Sequence, residues 1–444
     1  MSLSPTTLEL SVTCPAVTMV ESSSSLSLWS DLPPELLDSV FGGLCNLKDI
    51  LRSSSVCSSW HYSASLVYHR KFVPSLAVFN GPTDKKFRIL NLLKDPTHEE
   101  SDRSESDFRV DSDIWFCGCT RGFLLAIGVS FPYQVHLINP YTKAISSLPS
   151  LSPLEDVQQL LQFQEISRVS GILKSFVKKA VSSAIPSNPD SISSLPSLSP
   201  LEDVQQLLQF QEISRVSGIL KSFVKKAVSS AIPSNPDCIV MIIYSFDRKL
   251  ALCRRRDKNW TDFESVPGIS SIDDIVFYNG IFLAIDKIGE IYSCELSLDD
   301  APKAVPMGRA APFKYEPCKK YFAESVSGEL FLALKKLEYS DEGDSTTCFV
   351  IYELDSDTGE WREVRSLKGK ALFLSSRGLS MAVSAGNPGS SGGFVEENSV
   401  YFTDGLGMSD SVGVFEWESK QIKKLYQPSS WNSQLFWITP AYAY

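Results

Sequence analysis

The chain carries 444 residues, a net charge of −10 and 43% hydrophobic residues. That length has room for two or three domains with cores of their own. The acidic balance excludes a general binder of nucleic acid or of anionic membranes, which would be basic, and no apolar run approaches the ~20 residues of a membrane helix.

In chain order, residues 1–27 come first. They are rich in Ser and Thr, with no basic start and no sustained apolar stretch. They read as a disordered tail and not as a secretory signal. Helical chemistry follows within 28–70. Pro33 and Pro34 stand where a helix begins, because the first amides have no intrahelical partner, and Glu35 favours the helix dipole. Leu36, Leu37, Val40, Phe41 and Leu44 recur at spacings of three and four and predict one apolar stripe. Gly42 and Gly43 weaken or end that helix. Asn46 caps a second short helix, with Asp49 at its third position and Leu47, Ile50 and Leu51 on its apolar side. A third segment carries Val56, Cys57, Trp60 and Ala64. Periodicity alone makes this a small helical subdomain.

The order of residue types says more. Leu32-Pro33, Glu35-Leu36-Leu37, Val40-Phe41, Leu44, Asp49-Ile50-Leu51-Arg52 and Val56-Cys57 with Trp60 follow one another at fixed spacing. In this the stretch resembles the F-box, the module by which substrate receptors dock onto the adaptor of a cullin–RING ubiquitin ligase. Ser58 departs from the family, which often has a basic residue there. The resemblance implies a Skp-type adaptor, and through it a cullin, as partners. It implies apolar helix faces laid in a groove. Leu32, Pro33, Leu36, Leu37, Val40, Phe41, Leu44, Ile50, Leu51, Val56, Cys57 and Trp60 would form that contact or its immediate support.

Beyond Ser65 the period changes. Short runs rich in Val, Ile, Phe and Tyr recur between Gly, Asp, Asn and Ser: SLAVF, GFLLAIG, QVHLIN, IVMIIYSF, KLALC, DIVFYNGIFLAI, GEIYSCEL, GELFLALK, CFVIYELD and SVYFTDG. Asn279-Gly280 is a strong hairpin signal, and Asp357-Thr358-Gly359 predicts a longer turn. Many short strands predict an all-β sandwich, barrel or propeller over 73–440. The fold class is therefore α+β multidomain, a small three-helix module followed by an all-β domain.

This region is similar to the C-terminal domain of a large class of plant F-box proteins, a kelch-like β-propeller of unassigned function. The likeness rests on CTRGFLL from Cys119, Asn139-Pro140-Tyr141-Thr142, Leu148-Pro149, KKAVSS before IVMIIY, IDDIVFYNGIFLAIDKIGEIY, EWREVRSLKGKALFLS from Glu360 and VYFTDG from Val400. It implies a propeller that holds a target protein.

One feature belongs to neither domain. Residues 145–190 recur without a difference as 192–237. Two copies are too few for a solenoid. One set of strands can use one copy, and the other becomes a surface excursion, which costs little in loop entropy. Ser152-Pro153-Leu154-Glu155 and Ser199-Pro200-Leu201-Glu202 read as capping boxes, with Leu154, Val157, Leu160 and Leu161 on one helix face. Because IVMIIY follows the second copy, the strand beside it should come from near Phe223 to Ser229. Phe176 to Ser182 should lie in a poorly ordered excursion.

Signals for catalysis are sparse. Gly389-Ser390-Ser391-Gly392-Gly393 spells Gly-x-Ser-x-Gly, but a Gly/Pro/Ser-rich stretch precedes it where a strand is needed. The acidic run from Thr97 reads as a solvated loop, as does Arg254-Arg255-Arg256 beside Asp257. The ten cysteines are scattered and read as buried, reduced thiols. Cys57 and His61 have ligand-like spacing without a second pair, so no metal and no cofactor is expected. The expected role is a non-enzymatic receptor, intracellular in the cytoplasm or nucleus, with an unknown protein substrate. The rival readings are a propeller-like binding protein whose F-box no longer docks, and a propeller enzyme acting on a small molecule. Adaptor binding would separate the first from the other two.

Overall fold

The computed structural model describes residues 29–44, 47–54, 56–71, 74–80, 86–90, 92, 104–109, 114–159, 162, 223–263, 271–297, 301–307, 318–325, 327–338, 345–385, 395–404, 411–428 and 433–439. The tail 1–27, the Asn46 cap, Leu160 and Leu161, the second capping box, Phe176 to Ser182 and the Gly389 to Gly393 stretch lie outside them.

Three helices open the described chain: α1 (Pro34–Gly43), α2 (Leu47–Ser54) and α3 (Ser58–Lys71). Pro34 takes the first helical position of α1, where its missing N–H costs nothing, and the helix ends at Gly43. The amides of Leu36 and Leu37 both donate to the Pro33 carbonyl, at 3.1 Å each. Leu37, Phe41, Ile50 and Ala64 form the interior of the module, with Leu32, Leu44 and Trp60 packed against it.

Groups of strands in mostly antiparallel pairing make up the rest of the described chain. β1 (Ser75–Phe79), β2 (Lys86–Leu90) and β3 (Ser104–Arg109) form the first, and β25 (Gln434–Ile438) pairs with β1 from the far end of the chain. The second is β4 (Ile114–Thr120), β5 (Phe123–Gly128), β6 (Val135–Ile138) and β7 (Ile145–Leu148). The third is β8 (Val224–Ser229), β9 (Ile239–Tyr244), β10 (Lys249–Arg254) and β11 (Thr261–Asp262). The fourth is β12 (Ile272–Tyr278), β13 (Ile281–Asp286), β14 (Ile291–Glu295) and β15 (Lys303–Pro306). The fifth is β16 (Cys318–Ser325), β17 (Leu330–Glu338), β18 (Ser345–Leu354) and β19 (Trp361–Glu363). An irregular group follows, β20 (Lys370–Leu374), β21 (Met381–Ser384), β22 (Ser399–Asp404), β23 (Ser411–Glu416) and β24 (Gln421–Tyr426); β21 pairs parallel with β16, which joins this group to the fifth in one nine-stranded sheet, and β22 pairs parallel with β20.

The leading strands run side by side in a ring. β25 lies against β4, then β4 against β8, β8 against β12 and β12 against β16, and β16 reaches β20 and β21. β22 returns to β25. The ring is closed by pairing the last strand with the first, which removes an open sheet edge. This is the propeller architecture that the strand pattern left open among all-β folds. Asn279 and Gly280 take positive φ of 47° and 82°, the two-residue turn that the hairpin signal demands. The segment Ser104 to Asp107, read as part of a solvated loop, instead opens β3, the outermost strand of its sheet. An outer strand has one partner and one open edge, so it accepts a polar sequence.

The duplicated segment is shared between its two copies. The first supplies β7 and a single helical turn over 155–159, with Leu154 and Val157 buried. The second supplies β8, paired with β9 from Val224↔Tyr244 to Ser229↔Val240. So β8 comes from the copy expected, but neither copy alone serves the fold. The helix also starts later than the capping box implies. Ser152 Oγ pairs with Ser150 Oγ at 3.2 Å, and Leu154 N–H closes a turn onto the Leu151 carbonyl at 3.1 Å, so the chain enters the helix after Leu154.

Because the copies are identical, deleting 145–191 yields the same polypeptide as deleting 163–209. The product keeps the sequence of β7, of the helical turn, of β8 and of β9. Its melting temperature should lie within about 2 °C of the parent, since shortening a connection changes closure entropy by only about 0.6 kcal/mol per halving. A fall of ten degrees or more in a thermal melt would mean that both copies pack into the core.

Candidate functional site

α1 is apolar on two sides. Leu37 and Phe41, four residues apart, are 0% exposed, while Leu36 and Val40, one position earlier on the helix, are 53% and 43% exposed. Pro33, three residues before Leu36, is exposed as well. The stripe read from spacing is thus two adjacent rows. One faces the module's interior, and the other, Pro33–Leu36–Val40, faces outward. A short helix needs one buried row to pack, so the second row is apolar surface beyond what packing of the module uses.

The remaining residues of the predicted set divide in the same way. Leu32, Leu44 and Trp60 are half-buried around the interior, and Ile50 is inside it. Val56, between α2 and α3, is exposed, and Cys57 is half-buried. Leu51 belongs to α2, but its side chain lies outside the described residues. Trp60 sets the module's N-terminal corner: its ring stands edge-on to Phe41 at 5.5 Å, and its Nε1–H donates to the Trp29 carbonyl at 2.8 Å. Trp29 is itself largely exposed, and the sequence reading did not single it out. An exposed Trp one turn before Leu32 was the available signal.

The propeller holds a second set of residues that sequence reasoning missed. Lys226 of β8 pairs with Asp274 of β12, and both are buried. The other Asp274 oxygen accepts the Phe322 N–H at 2.7 Å. Asp273 accepts Arg248 at 2.6 Å and Lys320 of β16 at 3.1 Å. Burial pushes the Asp274 carboxyl up, opposed by Lys226 and by backbone N–H groups. These ion pairs tie three neighbouring inner strands together. Their signal in the sequence was a like-charged doublet opening an otherwise apolar strand.

Chemistry elsewhere is thin. Among the described residues no group of three His, Cys, Asp or Glu could hold a metal, and His61 N–H meets the Cys57 carbonyl at 2.9 Å as an ordinary helical bond. Eight described cysteines are free; five are buried, but Cys57, Cys318 and Cys348 are half-buried, so uniform burial does not hold. Burial pushes the thiols of Cys117 and Cys119 up to about 12, which keeps them protonated and unreactive. The Arg254 to Arg256 run sits at the end of β10 and in the turn after it, where Asp257 accepts the Arg254 N–H at 2.7 Å.

Comparison with known proteins supplies the family. A model described as the KIB1-4 beta-propeller matches residues 100–416, and one described as F-box-like matches residues 29–74. The chain is 44% identical over 421 residues to "Putative F-box protein At5g55150" of Arabidopsis thaliana, covering 93% of this chain and 97% of that protein. It is 24% identical to "F-box protein SKIP23" of the same plant, over 93% of this chain and 94% of the other. It is 22% identical to the Arabidopsis "F-box protein At2g26160", over 85% and 96%. With an outward apolar row on the helical module and a strand ring closed by its two ends behind it, the chain belongs to the plant F-box proteins that carry a KIB1-4 beta-propeller.

Proposed function

We propose that the chain is a substrate-recognition subunit of an SCF-type cullin–RING ubiquitin ligase. The helical module docks a Skp-type adaptor and, through it, a cullin. The propeller holds a target protein for ubiquitin transfer. The observation that carries this reading is the outward row Pro33–Leu36–Val40 on a module that matches the F-box. Its apolar side chains suit a groove on a partner, and their exposure means that docking need not disturb the interior formed by Leu37, Phe41 and Ile50. In this reading the chain performs no catalysis of its own and acts inside the cell, in the cytoplasm or nucleus.

The test is a pull-down from plant cells with identification by mass spectrometry. The intact chain should bring down adaptor, cullin and a target. A chain beginning at Val73 keeps β1 to β25, should stay soluble because those strands hold their own core, and should bring down the target without adaptor or cullin. Absence of adaptor from the intact-chain sample would overturn the proposal. So would an adaptor that persists with the truncated chain.

A further inference from the structure

The place that β7 and the helical turn after it occupy is set by their sequence, and the chain holds that sequence twice. The first copy pairs with β6 from Val135↔Leu148 to Ile138↔Ile145. Beyond the strand, the Leu151 N–H donates to the Tyr133 carbonyl at 3.2 Å, and Trp260 Nε1–H donates to the Pro149 carbonyl at 2.9 Å. Leu151, Leu154 and Val157 are buried. Asp156 closes this seat beside the β9–β10 turn. One of its oxygens accepts Lys249 at 2.7 Å, and the other accepts the Ser245 hydroxyl at 2.5 Å. Residues 145–159 recur as 192–206, so the same groups return as Leu195, Pro196, Leu198, Leu201, Asp203 and Val204.

One sequence in one seat makes one set of contacts, so local chemistry cannot prefer either copy. Only the chain on each side can. For β8 it does. Ser230 Oγ accepts the Ile239 N–H at 2.9 Å, and the Cys238 thiol donates to the Ala231 carbonyl at 3.2 Å. Cys238 directly follows the second copy, and Ser191 stands in the corresponding place after the first. The turn before β7 is built differently, because it closes on itself. Lys143 N–H bonds to the Asn139 carbonyl at 2.7 Å, and Asn139 Oδ1 accepts the N–H groups of Tyr141 and Thr142 at 2.9 and 3.1 Å. Asn139 N–H donates to the Ala144 carbonyl at 2.9 Å. That carbonyl is a backbone group, and Ser191, the residue before the second copy, carries one too.

We propose that this seat is a binding site with two alternative occupants from the same chain, 145–159 and 192–206, which exchange. In the exchanged state β8 and β9 stay as they are, and 192–195 pairs with β6. The connection 139–144 becomes 139–191, and the connection 149–223 becomes 196–223. Closure entropy varies as three-halves of the logarithm of loop length, so the exchange is disfavoured by only about sixfold. On the order of a tenth of the molecules then hold the second copy. β7 runs antiparallel to β6, so the connections before and after it leave opposite ends of the blade. The exchange therefore carries the surplus chain from one face of the ring to the other, and a partner that covers either face biases it. The seat is separate from the outward row on α1 and does not rest on the ligase reading.

The ion pair of Lys249 with Asp156 supplies the readout in the full chain. A carbodiimide joins a paired amine and carboxylate as an amide, with net loss of water taken up by the reagent. Trypsin then releases the two carboxylates in different peptides, 144–168 for Asp156 and 180–215 for Asp203, which differ in mass because the residues before the copies differ. In the parent, Lys249 should be joined chiefly to Asp156, with about a tenth of the product on Asp203. Val157→Asn puts an unpaired amide in the first copy's buried position. It should reverse the ratio in favour of Asp203, and the melting temperature should fall by only a few degrees, because the second copy takes the seat. Val204→Asn should remove the Asp203 product and leave the melt unchanged. The double variant has no intact occupant and should melt well below both single variants. The proposal is overturned if Val157→Asn keeps Asp156 as the main product, if the Asp203 product survives Val204→Asn, or if Val157→Asn alone melts as low as the double variant.

Discussion

Replacing Leu36 and Val40 together by arginine should abolish co-purification of a Skp-type adaptor and leave the protein folded. Both side chains lie on the outward row of α1 and make no part of the interior formed by Leu37, Phe41, Ile50 and Ala64. Exposed helix positions of this kind change stability by no more than about 0.5 kcal/mol. An apolar anchor in a docking groove is worth about 2 kcal/mol when truncated, roughly thirtyfold in affinity, and a charge in its place costs more. Two such changes should move binding below detection. The counterpart is Phe41→Ala. Phe41 is fully buried and stacks edge-on against Trp60, so its loss should melt the helical module at a cost of roughly 3–5 kcal/mol. Both variants would lose the adaptor, but only Phe41→Ala should lose helical signal and gain protease sensitivity before α3. If the double arginine variant retains the adaptor at parental levels, the outward row is not the docking face. A substitution of Leu32 and Pro33 separates these effects less well, because Leu32 packs on the interior and the Pro33 carbonyl receives two helix amides.

How much of this was legible in the sequence depends on the range of the interaction. Local signals read well. Pro34 begins α1, Gly43 ends it, and Asn279-Gly280 turns β12 into β13, because each conformation is decided within a few residues. The module's residues were identified, but not which of them face outward. Leu36 and Leu37 are neighbours in sequence and only about 100° apart around a helix, so spacing cannot separate an inner from an outer row when both are apolar. The duplicated segment shows another limit. Identical copies carry identical propensities, and only the continuity of the chain decides that β7 follows β6 in the first copy while β8 precedes β9 in the second. The Lys–Asp pairs between β8, β12 and β16 left only a like-charged doublet in each strand, and which doublets pair was not legible, since partners such as Lys226 and Asp274 meet only after the ring has formed.

In the propeller a severe single change should fall at Gly118. This residue lies in β4 at a shift of register against β5, between Phe116 and Gly118, where the strand bulges. The connection 375–380 between β20 and β21 crosses at that point. Ser375 N–H bonds to Ser380 Oγ at 3.0 Å, Gly378 N–H bonds to Ser375 Oγ at 2.9 Å, and all three residues are buried. The Cys119 thiol donates to the Trp437 carbonyl of β25 at 2.9 Å beside them. A Cβ added at Gly118 would stand 1.9 Å from the Arg377 carbonyl oxygen, which is backbone and cannot rotate aside. Either β4 or the crossing connection must move, and both are fixed by buried hydrogen bonds. Gly118→Ala should therefore destabilise the propeller by about 3 kcal/mol or more, at the upper end of overpacking effects. Gly43→Ala is the control: its added Cβ meets nothing within 4 Å, and alanine improves a helix end. Thermal melts should show Gly118→Ala many degrees below the parent and Gly43→Ala level with it. Because the strain sits where the last strands close on β4 and β25, and not in α1 to α3, the Gly118 variant should also lose its target while adaptor capture persists. A Gly118→Ala protein that melts within about 2 °C of the parent would show that the connection 375–380 does not press on β4 as described.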